Sequence, residues 1–208
     1  FQSLFNNTAS NNTAVGYQAG FSNTSGTGVT ALGFQTLRAN TSGSYNTGLG
    51  YQALFRNTTA QLNTSVGYGS MLNTTTGSGN ASFGVESLST NSTGSNNTAI
   101  GTFALISNIA SNNTAVGYEA GYSNTSGSLT ALGYQAGKLN TTGIRNTFVG
   151  NISAYNNTTG GENTFLGEES GVQNVSGGNN TFLGFRAAAG SGSSINNNTI
   201  VGHEACYT

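Results

Sequence analysis

A glycine returns every 16 to 18 residues along the whole chain, each time inside the same short phrase. The anchors are Gly16, Gly33, Gly50, Gly67, Gly84, Gly101, Gly117, Gly133, Gly150, Gly167, Gly184 and Gly202. So short and regular a period is the mark of a solenoid, in which each repeat is one turn that contacts only its neighbours. It leaves little room for the convergent core and cleft of a globular enzyme.

With the anchor as position zero, position −4 is Asn in ten of the twelve repeats and position −3 is Thr in eleven. Position −1 is apolar in all twelve, from Val15 and Leu32 through Leu183 and Val201, and position +3 is always Ala, Ser or Thr. The phrase Thr-Ala-Val-Gly-Tyr-Gln-Ala predicts a short strand with alternating faces. We expect the −1 aliphatic to point inward, and the small +3 residue to share its face. A second block, as in Asn23-Thr24-Ser25-Gly26 and Asn140-Thr141-Thr142-Gly143, predicts a second, shorter strand closed by a glycine turn. The expected fold is all-β: a parallel β-solenoid (β-roll) of about 12 rungs with a period near 17 residues and two short strands per rung. It forms one array over residues 1–208. Asparagines that recur rung after rung are expected to stack as amide ladders.

One pattern divides the chain. In the first eight repeats position −2 is small or polar, and +1 is aromatic at Tyr17, Phe34, Tyr51, Tyr68, Tyr118 and Tyr134. In the last four, −2 becomes Phe148, Phe165, Phe182 and Ile200, while +1 becomes Asn151, Glu168, Phe185 and His203. The exchange suggests that −2 and +1 line neighbouring space.

Charged residues are 5% of the chain and the net charge is −1, so no basic footprint for nucleic acid exists. No apolar run reaches the length that crosses a membrane. The single Cys206 excludes an intrachain disulfide framework. Phe1-Gln2-Ser3-Leu4-Phe5 aligns with Tyr51-Gln52-Ala53-Leu54-Phe55, so the chain opens in mid-motif and reads as a segment of a longer fibre protein. A roll built largely of Ala, Ser, Thr and Gly buries little apolar surface against the entropy of ordering each rung. Side-by-side association into a homo-oligomer or filament is therefore expected, with the aromatic +1 stripe inside.

The phrase Asn-Thr-Ala-Val-Gly-Tyr-Gln-Ala at residues 12–19, nearly repeated at 113–120, resembles the head repeats of trimeric autotransporter adhesins, which carry an Asn-Ser-x-Ala-Ile-Gly-like phrase. The resemblance implies a left-handed β-roll that trimerises into a rigid surface head. That family's period is shorter than the one here. The Asn-Thr-Thr-Gly block is more similar to repeats in phage and giant-virus fibre proteins.

Chemistry has little material. The chain has no Asp, one His (His203), and six Glu that a repeat surface does not bring together across a cleft. Asp-rich calcium turns are absent, and His203, Glu204 and Cys206 occupy motif positions whose other occupants are not metal ligands. No cofactor or metal is expected. The tyrosine column could offer a glycan platform, and the threonine column at −3 an ice-binding face. Sequons at Asn23, Asn40, Asn57 and Asn124 follow from the repeat and would carry glycans only in a eukaryotic secretory or giant-virus setting. The expected role is a non-enzymatic fibre or adhesin segment, extracellular on a cell surface, secreted filament or virion fibre. Its partners would be further copies and a host-surface glycan or protein receptor, with no nucleic acid and no membrane insertion.

Overall fold

The computed structural model describes residues 2–206; Phe1, on which the alignment of the opening motif partly rests, lies outside them. Each repeat contributes one strand, and the strands are parallel. The chain divides into two compact units, Phe1–Phe103 and Ala104–Thr208. The first holds β1 (Thr13–Val15), β2 (Thr30–Leu32), β3 (Thr47–Leu49), β4 (Thr64–Val66), β5 (Ala81–Phe83) and β6 (Thr98–Ile100). The second holds β7 (Thr114–Val116), β8 (Leu129–Leu132), β9 (Asn146–Val149), β10 (Thr164–Leu166), β11 (Thr181–Leu183) and β12 (Thr199–Val201). Pairing is in register within each unit, Thr13 beside Thr30 and Phe165 beside Phe182, so every motif position forms a column along the stack. Each unit is a parallel β-solenoid with a period near 17 residues.

The second expected strand does not form. Its residues still bond from rung to rung, as in Thr24 N to Thr41 O at 2.9 Å and Thr41 N to Thr58 O at 2.9 Å. The block bends too sharply to be extended. Asn40 Nδ2 donates to Gly43 O, three residues on, at 2.9 Å and folds the Asn-Thr-Ser-Gly segment into a turn.

The expected face of position −1 is reversed. The interior is lined by −2, where Ala31, Ala99, Ala115, Ala131, Phe148, Phe165 and Phe182 are fully buried. The −1 side chains point out, with Val15, Leu32, Leu49, Phe83 and Ile100 keeping 40–59% of their surface exposed. Eleven of the twelve small +3 residues, Ala19 through Ala187, are buried, and they share the interior with −2. In a three-residue strand either parity is compatible with one apolar position, so another part of the rung decides which faces inward.

That part is position +4. Leu37, Leu54, Met71, Leu88 and Leu105 are completely buried there, each with a left-handed backbone, φ between 50° and 54°. Left-handed φ costs an L-residue about 1–2 kcal/mol, and burying a leucine returns about 1.5–3 kcal/mol. The +2 residue is left-handed as well: Gln18, Gln35 and Gln52 all have φ 53°. In the first full rung the chain curls through successive turns, Ala19 N to Gly16 O at 3.4 Å and Phe21 N to Gln18 O at 3.3 Å. A positive φ at the third residue is what such turns require. This curl swings the +4 side chain inside.

The bulk exchange therefore runs across the core, between −2 and +4, and not between −2 and +1. Where −2 is Phe148, Phe165 or Phe182, the +4 residue is Ala154, Gly171 or Ala188. A Cβ on Gly171 would lie 2.4 Å from Phe165 Cε2, and one on Gly137 would lie 2.7 Å from Phe148 Cδ2. Position +1 lies outside, on an unrelated surface.

Candidate functional surface

Two buried asparagine columns tie the rungs together. At +7, Asn23 Nδ2 donates to Asn7 Oδ1 at 2.6 Å, Asn40 to Asn23 at 2.7 Å and Asn57 to Asn40 at 2.6 Å. The second unit repeats this through Asn140 to Asn124, Asn157 to Asn140 and Asn174 to Asn157, each at 2.8 Å. At −4 the carbonyl oxygen accepts from the next rung's backbone, as in Asn63 N to Asn46 Oδ1 at 3.0 Å and Asn80 N to Asn63 Oδ1 at 2.8 Å. The same amides donate to the turn ahead, Asn46 Nδ2 to Ala60 O at 2.7 Å and Asn63 Nδ2 to Gly77 O at 2.9 Å. The expected amide ladders are thus present, and they are internal. The sequon asparagines Asn23, Asn40, Asn57 and Asn124 are fully buried members of the +7 ladder.

The anchor glycines have a steric cause. Their φ lies between 129° and 139°, a region closed to most L side chains. A Cβ on Gly33 would also lie 2.3 Å from the Gly50 carbonyl oxygen of the next rung. Gly16, Gly67, Gly117, Gly133, Gly150, Gly167 and Gly184 meet the same obstacle at 2.2–2.4 Å.

On the outer face, −3 and −1 both point out from each strand, and +1 stands beside them past the glycine. In the first unit the +1 rings form one pile. Tyr17 stacks on Phe34 at 5.4 Å, Phe34 on Tyr51 at 5.0 Å, and Tyr51 on Tyr68 at 5.0 Å, with interplanar angles of 17°, 7° and 8°. Tyr118 and Tyr134 stack at 5.5 Å in the second unit. The structure therefore brings the six aromatic candidates into columns, four in one unit and two in the other. The −1 column beside them, Val15 to Ile100, was missed as a surface. The signal that could have found it was that −2 is small wherever +4 is Leu or Met, and +4 is Ala or Gly wherever −2 is Phe, which marks the two as sharing the interior.

A polar margin flanks this face. Gln35 Nε2 donates to Gln18 Oε1 at 3.1 Å and Gln52 Nε2 to Gln35 Oε1 at 2.9 Å. The Arg38 guanidinium lies between the Phe21 and Phe55 rings, 5.9 and 5.8 Å from their centroids, and its Nε donates to Gln18. Lys138 repeats the arrangement between Tyr122 and Tyr155 at 5.9 and 5.6 Å, with Nζ 2.7 Å from Glu119 Oε2. Burial opposes ionisation of Glu119, but hydrogen bonds from Lys138 and Gln135 and the Lys138 charge outweigh it and hold the carboxyl below its ordinary value. The hydrogen bond to Glu119 raises Lys138, against the smaller opposing effect of burial.

Elsewhere the chemistry is sparse. Glu168 accepts from Asn151 Nδ2 at 3.2 Å, while the adjacent Glu169 pairs with Arg186 at 2.6 Å. His203 Nδ1 lies 4.0 Å from Glu204, and Cys206 is exposed. Among the described residues no three His, Cys, Asp or Glu are grouped to hold a metal, and no helix is long and apolar enough to cross a membrane. These features define a parallel β-solenoid whose outer face is partly apolar and, in the first unit, uncharged. Comparison with models of known protein families, with curated proteins and with solved structures returned no match.

Proposed function

We propose that the chain is a non-enzymatic scaffold segment of an extracellular fibre, on a cell surface, a secreted filament or a virion. The observation that carries this reading is the pair of buried asparagine columns. Each rung bonds to its neighbours through its backbone and through one or two asparagine side chains, most of them shielded from water. Pulling or cleaving one rung must break several buried hydrogen bonds at once, and each orphaned group costs about 1–3 kcal/mol. Such a segment suits a task of reach and endurance, with recognition left to its outer columns. The resemblance to adhesin heads and viral fibres fits this reading.

The glycan reading of the tyrosine column is weaker on geometric grounds. Sugars stack on a free ring face, and the inner rings Phe34 and Tyr51 have a neighbouring ring on each side. They offer ring edges instead, and Tyr51 its hydroxyl. The ice-binding reading keeps its threonine column, now beside exposed aliphatics, and recrystallisation inhibition by the purified chain is its test.

An antibody raised against the chain tests the scaffold. It should label intact, unpermeabilised source cells or particles. Labelling that requires permeabilisation would contradict an exterior role.

A further inference from the structure

We infer that the outer face of β1–β6, formed by the −3, −1 and +1 columns, is an interface between copies of this chain. The inference deepens the scaffold reading by naming the scaffold's partner. The face is uncharged at every one of its positions through six rungs. The charged residues of that unit, Arg38, Arg56 and Glu86, all lie off these columns, at +5, +6 and +2. Absence of charge at the centre is characteristic of a buried patch.

The size of the face supports permanence. Ten large apolar side chains on the −1 and +1 columns of this unit stay 39–59% exposed. With about 150–250 Å² per aromatic ring and somewhat less per aliphatic, they present on the order of 1,000 Å². The largest apolar patch on an ordinary monomer is about 300–600 Å². A stable interface needs about 800 Å² from each partner.

The spacing of the face selects the occupant. Its ridges recur once per rung, at the 4.7–4.9 Å or so that separates hydrogen-bonded strands. A partner with another period would meet the ridges in phase at one rung and out of phase a few rungs on. A second copy carries the same period and keeps ridge against groove along the whole face. The stacked rings favour this occupant too, because their edges pack between side chains while their faces are already covered.

The test is the mass of the full 208-residue chain by sedimentation velocity across the micromolar range. Wild type should run at an integer multiple of 21.1 kDa. Leu49→Glu, placed on the exposed column, should weaken association at least tenfold and yield the 21.1 kDa species. Gln61→Glu, an exposed site off these columns, should leave the assembly intact. If Leu49→Glu fails to fold by circular dichroism, the double variant Tyr51→Ser/Tyr68→Ser must give the same shift without adding charge. A monomeric wild type, an assembly that survives both outward variants, or one that Gln61→Glu dissolves equally overturns the interface. A monomer that still labels the exterior of intact cells or particles overturns the interface and leaves the scaffold standing.

Discussion

Gly33 faces Gly50 so closely that a Cβ on the first would sit 2.3 Å from the carbonyl oxygen of the second. Two constraints act at once, a φ of +134° and an axial contact that admits no side chain. Gly33→Ala should therefore lose at least about 4 kcal/mol, the range reserved for severe backbone and packing damage. Gly202→Ala meets only Ala205 Cβ at 3.5 Å, so it should lose only the dihedral strain, about 1–3 kcal/mol. Urea unfolding of the two variants, followed by circular dichroism, measures the difference.

Thr74 interrupts the +7 asparagine ladder. Asn57 Oδ1 and Thr74 Oγ1 are both buried and find no hydrogen-bond partner. Thr74→Asn restores the donor that Asn40 and Asn57 supply on their own rungs, and should stabilise the chain by about 1–3 kcal/mol. Asn40→Ala should do the reverse, by about 2–3 kcal/mol, since it orphans Asn23 Oδ1 and Gly43 O. Denaturant midpoints of both variants check the pair.

The core exchange predicts coupling between −2 and +4. Phe165→Ala should open a cavity worth about 3–5 kcal/mol. Gly171→Leu alone should clash with the Phe165 ring. Together the two recreate the small −2 with leucine +4 that Ser82 and Leu88 form. A double-mutant cycle should return a favourable coupling of about 1–3 kcal/mol, and additive losses would contradict the shared space.

Glu119 and Lys138 should leave a mark on the pH profile. The Glu119 carboxyl titrates below its ordinary 4.5, so its contribution is whole above that value and is lost as pH falls through the lower folded pKa. Lys138 titrates above its ordinary 10.5, so its contribution is whole below that value and fades as pH rises through the higher folded pKa. Glu119→Gln should therefore be less stable than wild type between the two. The gap should close at acid and alkaline extremes in thermal melts across pH.

Much of this was readable from residues alone. Gly16 and its eleven successors gave the period, Asn40 and Asn157 the ladders, Ala53 and Ser70 a crowded interior. Leu49 was misread because constancy of an apolar residue marks constraint without marking direction. Leu54 held the missing information, but left-handed backbone is ordinarily left to Gly and Asn. A buried leucine in that conformation is stabilised only by the rungs stacked on both sides. The bent Asn-Thr-Ser-Gly block looked extended because its rung-to-rung bonds resemble a strand's. Its side-chain bond from Asn40 to Gly43 has no signature in a period count.

The ladders themselves are open to direct measurement through hydrogen exchange of asparagine side-chain amides by NMR. Exchange at Asn23, Asn40, Asn140 and Asn157 should be slowed by orders of magnitude, because each amide is buried and bonded to the preceding rung. The exposed Asn11 and Asn179 should exchange freely. Free exchange at all six would contradict a solenoid held together by internal amide columns.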